Sequence, residues 1–193
     1  MNLKGSQTEK NLEQAFSGES MARNKYLFFA EKAKQEDHPE ISELFERMAR
    51  NEGVHGKLLY QKLHGGIGAS NANLKDAMEG EYSEWTSMYP EFAKKAREEG
   101  FEDIAVLFEK IADIEKTHEH EFLIALAGLV KSQKKTTSGG EAPSLEANVS
   151  KDITVNGYRC MFCGATFEKR PDVCDVCGAI GSFEDAKITK KVN

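Results

Sequence analysis

The chain has 193 residues, 39% of them hydrophobic and 30% charged, with a formal net charge of −6; this length holds one ordinary domain and one small one. The negative balance argues against a nucleic-acid or anionic-membrane partner, and no run approaches the roughly 18 apolar residues of a membrane span. Met1–Lys10 has no apolar core of a secretory signal and all four cysteines fall in two C-x-x-C pairs, so the expected location is the cytoplasm.

Ser6-x-x-Glu9 reads as a capping box, after which Leu12, Ala15, Phe16, Glu19, Ala22, Tyr26, Phe29, Ala30 and Ala33 recur at helical spacing. Glu19 is the one acid in that stripe. Asp37-x-x-Glu40, with Pro39 in the first turn, opens a second helix that runs through Glu52 and His55 and stops near Gly65-Gly66. After a loop rich in Gly, Ser and Asn, to about Asn73, a third helix carries Leu74, Met78, Glu81, Glu84, Trp85, Met88 and Phe92 and ends at Gly100. The fourth runs from about Glu102 to Lys131, with Ile104, Leu107, Phe108, Ile111 and Phe122 as its apolar stripe. Glu115-x-x-His118 interrupts that stripe, and its i,i+3 spacing sets carboxylate and imidazole on one face, toward a core.

A single Glu-x-x-His proves little, because glutamates are common on solvated helices. The chain has two. Ile41, Leu44, Phe45, Glu52 and His55 recur 63 positions later as Ile104, Leu107, Phe108, Glu115 and His118, and Tyr26 and Phe29 recur as Tyr89 and Phe92. Each repeat is a helix pair, and two pairs make a four-helix bundle. Two Glu-x-x-His helices plus one inward Glu from each of the other two is the ligand set of a carboxylate-bridged dimetal site. Glu19 and Glu81 fill the two remaining places. Their offset is 62, so one extra residue lies between Glu81 and Tyr89. A π-bulge, next to the loosening Pro90, is the expected way to absorb it.

Residues 132–151 lack a helical stripe and contain Gly, Ser, Thr and Pro throughout, which predicts a linker between a bundle at 1–131 and a small domain at 152–193. Its ends would lie roughly 25 Å apart as a flexible chain. In the small domain Cys160, Cys163, Cys174 and Cys177 form two knuckles, the pattern of a tetrahedral sulfur site for zinc or a single iron. The glycine after each second cysteine permits a turn whose N–H groups point at sulfur. Tyr158, Phe162, Phe167 and Phe183 are its expected core. His38, His64 and His120, with Glu119 and Glu121, are expected to be solvated, and Trp85, Met48, Met78 and Met88 to pack. The fold class expected is mainly α, a ferritin-like bundle followed by a unit of short strands and turns.

In order, GES with Glu19, Glu52-x-x-His55, GEYSEW with Glu81 and Glu84, MYP with Tyr89, Glu115-x-x-His118 and the two C-x-x-C pairs closely resemble the rubrerythrin family, over Gly5 to about Phe183. The resemblance implies a diiron site held by Glu19, Glu52, His55, Glu81, Glu84, Glu115 and His118, with Glu52 and Glu115 bridging and Tyr26 and Tyr89 hydrogen-bonded behind the ligands. It implies one iron on the four cysteines, which recombinant protein can replace by zinc. It also implies hydrogen peroxide reduction to water in protection against oxidative stress, a homodimer with electron transfer between chains, and a donor such as rubredoxin or an NAD(P)H-dependent reductase. Glu84 has no counterpart in the first repeat. It is therefore expected to hold one iron in the oxidised state and to yield it to His55 in the reduced state, since ferric iron favours carboxylate. The alternative is a ferroxidase or iron-storage protein with a structural zinc ribbon, which would have no use for a thiolate-iron relay.

Overall fold

The computed structural model describes residues 2–135 and 152–191. Helix α1 is Gln7–Gln35 and α2 is Pro39–His64. A third long helix is continuous through α3 (Ser70–Ser83), a π segment (Glu84–Met88) and α4 (Tyr89–Glu98), and α5 is Glu102–Lys135. Strands β1 (Asp152–Cys160), β2 (Thr166–Phe167) and β3 (Phe183–Lys191) follow. The class is the expected one, mainly helical with a small four-cysteine unit of strands and turns. The compact units are Met1–Ala69 and Ser70–Asn193, a division that falls between the two repeats.

In the first unit, Ser6 caps α1 by accepting from the Glu9 N–H at 3.1 Å, while the Glu9 carboxylate reaches back to the Gly5 N–H at 2.5 Å. The second helix opens differently from expectation. Asp37 sits at φ 60° and His38 is the N-cap without a side-chain bond, so Pro39 at the first helical position defines the start. Gly65, at φ 73°, ends α2 in the left-handed region, as expected of a C-terminal glycine. The two helices pack through small residues: Ala30 and Ala33 of α1, and Ser42, Ala49 and Gly56 of α2, are buried. Small side chains let the helix backbones approach closely, and the larger ones are displaced to the sides of the seam.

The second unit repeats this construction. Ala93, Ala96 and Ala105, the counterparts of Ala30, Ala33 and Ser42, are buried between α4 and α5. Tyr26, Phe29 and Phe45 form an aromatic triplet with centroids 6.4, 6.1 and 5.4 Å apart. Tyr89, Phe92 and Phe108 form its twin at 6.3, 6.1 and 5.6 Å. The repeat read in the sequence is thus a repeat of packing. Its one interruption is where the offset changes: Glu84–Met88 is π-helical, and the Tyr89 N–H donates to the Glu84 carbonyl, five residues back. Helical dihedrals on both flanks keep the helix continuous through the extra residue.

Helix α5 runs to Lys135, four residues past its expected end, and residues 136–151 of the expected linker lie outside the described residues. Beyond them β2, β1 and β3 form an antiparallel sheet with β1 in the middle, pairing Tyr158 with Phe167 and Cys160 with Phe183. The sheet unit rests on α5 of its own chain. Ile114 joins Cys160, Ala165, Cys174 and Phe183 in one buried cluster, flanked by Tyr158 and Phe167. Lys110 pairs with Asp175 at 3.3 Å, and Arg159 binds Glu121 of α5 as well as Glu184 of β3. Phe162 is exposed, contrary to expectation. The N–H groups of Phe162 and Cys163 turn toward the Cys160 sulfur, and the intervening side chains are driven outward.

Deleting Ser87 removes the extra residue. It should restore an uninterrupted i to i+4 ladder and turn Glu81 and Glu84 by about 100° relative to Tyr89 and α4. Circular dichroism is expected to show the helical content retained while iron bound per chain falls; undiminished iron binding would show that the π segment does not aim these carboxylates.

Candidate metal centres

The Glu-x-x-His spacing does in the structure what helical geometry requires of it. On α2 the His55 Nδ1 lies 2.7 Å from Glu52 Oε2, and on α5 the His118 Nδ1 lies 2.5 Å from Glu115 Oε2. Glu19 of α1 reaches into the first pair, with Oε2 at 3.8 Å from His55 Nδ1. Glu81 of α3 reaches into the second, hydrogen-bonded to Glu115. Glu19, Glu52 and His55 therefore offer donor atoms within 4.8 Å of one another, and so do Glu81, Glu115 and His118. Each group is a carboxylate–carboxylate–imidazole triad, the donor chemistry that suits iron. Glu84, half-buried on the π segment, is not part of that tight set but interacts electrostatically with Glu115 and His118.

Such crowding is costly without a cation. Burial, then the charge of Glu115 and the hydrogen bond to it, push Glu81 up to about 7 against the opposing influence of His118. Burial chiefly, and then Glu115, raise Glu84. Tyr89 is raised in the same way, by burial first and then by Glu84, Glu115 and Glu81, so its phenol stays protonated beside these carboxylates. This is the region where the Tyr89 role was expected. Its twin Tyr26 occupies the corresponding place in the first aromatic triplet.

The second centre is sulfur. Cys160 and Cys177 Sγ are 3.7 Å apart and Cys163 and Cys174 Sγ 3.6 Å, far beyond a disulfide bond. A tetrahedron with metal–sulfur bonds of about 2.3 Å has edges of about 3.8 Å, so the spacing fits one ion. Gly164 and Gly178, at φ 78° and 74°, make the left-handed turns after each pair. Burial pushes the Cys160 thiol up, but the Cys163 and Phe162 N–H groups outweigh it and bring it down to about 7. Burial keeps the Cys163 and Cys177 thiols raised, against the Ala165 and Ala179 N–H groups that point at their sulfurs and pull the other way. N–H groups aimed at sulfur favour thiolate, the form that binds metal.

The sequence did not reveal how the two centres meet. Gly164, next to Cys163, lies against the His118 ring: a Cβ built on it would fall 2.5 Å from His118 Nε2. His118 thus turns Nδ1 to Glu115 and Nε2 to the cysteine knuckle. Glu121 is exposed, as expected, and pairs there with Arg159, whereas Glu119, expected to be solvated, is half-buried and accepts from Trp85 Nε1 at 2.8 Å.

Repeated helix pairs carrying carboxylate–histidine triads, followed by a four-cysteine unit, define a diiron and rubredoxin-like protein. The rubrerythrin family pattern matches residues 10–126. The chain is 36% identical over 189 residues to rubrerythrin of Porphyromonas gingivalis, covering 91% of this chain and 87% of that one. It is 38% identical over 189 residues to rubrerythrin of Nitratidesulfovibrio vulgaris, covering 91% of each. To a putative rubrerythrin of Methanocaldococcus jannaschii it is 39% identical over 207 residues, covering 95% and 94%. The chain belongs to the rubrerythrin family. Among the described residues, no helix is long and apolar enough to cross a membrane.

The carboxylate triad makes a pH-dependence measurable in metal-free protein. A carboxyl raised on folding, as Glu81 is from 4.5 to about 7, favours the folded state fully below its unfolded value, and that contribution disappears as pH rises through the folded one. Chelated protein is therefore expected to unfold at lower urea near pH 7.5 than near pH 5, at about these values. Ferrous iron should reverse the loss at the higher pH by taking the proton's place.

Proposed function

We propose that this protein is a peroxidase that reduces hydrogen peroxide to water, with electrons entering through the four-cysteine centre. With iron bound, the carboxylate–histidine site supplies two electrons to the peroxide O–O bond, H2O2 taking up two protons to give two waters, and the four-cysteine site returns those electrons singly. Glu19, Glu52, His55, Glu81, Glu84, Glu115 and His118 would hold the diiron site, and Cys160, Cys163, Cys174 and Cys177 the single iron.

The observation that carries this reading is the seating of Gly164 on His118. An iron-storage protein with a structural zinc knuckle has no need to press a cysteine turn onto a ligand imidazole. A relay does, because the bonds from Cys163 through Gly164 to the His118 ring form the short way into the site. Ile114 and the ion pairs of Lys110 and Arg159 fix that approach on the chain's own α5, which supports entry within one chain rather than the transfer between chains that resemblance implies. The Tyr89 phenol, kept protonated, holds a hydrogen close to Glu84, Glu115 and Glu81.

Two substitutions separate relay from storage. Cys174→Ser is expected to abolish NAD(P)H-coupled peroxide turnover through an added reductase, while prereduced diiron still consumes peroxide once. Gly164→Ala places a methyl carbon 2.5 Å from His118 Nε2, too close for contact, and in a backbone conformation that disfavours it. It should slow coupled turnover several-fold with the absorption of both iron centres retained. Coupled turnover undiminished in both variants would reject the relay.

A further inference from the structure

We propose that Trp85 is a positioning residue for Glu84: its hydrogen bond to Glu119 ties the π segment to α5 and thereby keeps the Glu84 carboxylate aimed at Glu115 and His118. This rests on the reading that Glu84 is a ligand of the diiron site. Every contact involved lies within Ser70–Asn193.

The first ground is the way α5 holds the indole. Trp85, half-buried, donates from Nε1 to Glu119 Oε2 at 2.8 Å, and Lys116, one turn earlier on α5, sets its ammonium 4.9 Å from the ring centroid. One contact holds the edge of the ring and the other its face, and both a hydrogen bond to a carboxylate and a cation over an indole are favourable. Tyr82, one turn before Trp85, meets the ring edge-on, with centroids 5.7 Å apart. Packing alone requires neither polar contact.

The second ground is where the bond sits. Trp85 is the residue after Glu84 and Glu119 the residue after His118, so the bond joins two positions that each stand one step beyond the metal site. One step along a helix is about 100° of rotation, which puts the tether beside the carboxylates rather than among them. His118 has other supports: Glu115 at 2.5 Å, the Gly164 turn, and a helix unbroken from Glu102 to Lys135. Glu84 stands at the start of the wide turn. An extra residue can be absorbed at any turn of a helix, and sliding the wide turn re-aims each residue it passes by about 100°. The Thr86 hydroxyl, which donates to the Tyr82 carbonyl at 2.5 Å, belongs to the same helix and moves with it. The Trp85 bond anchors the segment to a different helix.

The third ground is the repeat. At the offset of 63, Lys116 and Glu119 correspond to Gly53 and Gly56, and Trp85 falls on Ala22, or on Arg23 at the offset of 62. The first helix pair has none of the three residues, and its α1 has no π segment. The tether therefore occurs in the half that has the extra residue and the extra carboxylate.

The test uses full-length protein loaded with iron and removes each end of the bond separately. Trp85→Phe keeps an aromatic ring without the N–H, Glu119→Leu removes the acceptor, and Glu119→Gln keeps an oxygen in its place. Ferric iron is the state that depends most on carboxylate. The readout is accordingly the rate at which oxidised protein loses its diiron absorption to a ferric chelator, with the reduction potential of the diiron site alongside. Trp85→Phe and Glu119→Leu are each expected to speed that loss roughly 10-fold, the usual effect of removing a group that orients a ligand, and to raise the potential, while Glu119→Gln stays close to wild type. Iron held as firmly in Trp85→Phe and Glu119→Leu as in wild type overturns the proposal. So does a Glu119→Gln variant as leaky as Glu119→Leu, which would assign the effect to charge beside His118. The decisive comparison is made in a Glu84→Gln background: if Trp85 acts through Glu84, Trp85→Phe adds nothing there, whereas an equal further acceleration shows that it supports the fold at large and rejects the positioning role. Glu84→Gln that itself leaves ferric iron as firmly held as in wild type overturns the ligand reading instead. Trp85 is the chain's one tryptophan, so the bond is also visible in chelated protein. Glu119→Leu should shift the fluorescence emission maximum and Glu119→Gln should not; an emission unmoved by Glu119→Leu means that there is no bond to lose.

Discussion

Crowded negative charge is the constraint on which this structure depends. Glu52 and Glu115 lie on faces that helical periodicity turns toward apolar side chains, and Glu19 and Glu81 are brought alongside them. Burying carboxylates together is unfavourable unless a proton or a cation intervenes. The metal-free protein uses protons, as the raised Glu81 and Glu84 indicate. The metal-binding protein exchanges them for iron, so stability and function draw on the same residues. The seams of small residues are the mechanical counterpart, since alanine-lined helix pairs hold the two carboxylates of each triad at a distance that a single ion can span.

The imidazole of His118 connects this charge problem to the second centre. Its Nδ1 is committed to Glu115 and its Nε2 faces the turn after Cys163, so one ring is both part of the acidic triad and the surface against which the sulfur unit is seated. Orientation of a ligand histidine by its outer nitrogen is common in metal sites. Here the outer contact is a backbone that leads directly to a second redox-capable group. Glycine is required there on two counts, the left-handed turn and the absence of room for a methyl group.

Much of this was legible in the sequence because it is written twice. The repeat singles out Glu52, His55, Glu115 and His118, and the one-residue change in offset locates the π segment. What was not legible depends on contacts between distant parts of the chain. Glu119 reads as solvated because its partner Trp85 lies 34 positions away, and the pairing of exposed Glu121 with Arg159, 38 positions away, is hidden for the same reason. Phe162 read as core because aromatic residues usually are, but a residue between two knuckle cysteines is forced outward. The end of α5 was placed too early since Ser132–Lys135 is polar without being helix-breaking, and glycine does not appear until Gly139.

The π segment also bears on ancestry. Two halves that share burial, aromatic triplets and donor triads position for position have the form of a duplicated helix pair, and a duplicated pair would at first have been interchangeable with its copy. One inserted residue in the second half ended that equivalence. Helix registers change in whole residues, so the insertion could not be diluted along the helix and was confined to one wide turn, beside Glu81 and at Glu84, leaving the rest of the ancestral symmetry intact. The wide turn begins at Glu84, where the first half offers only Met21 or Ala22, so the two halves are chemically unequal at this one place.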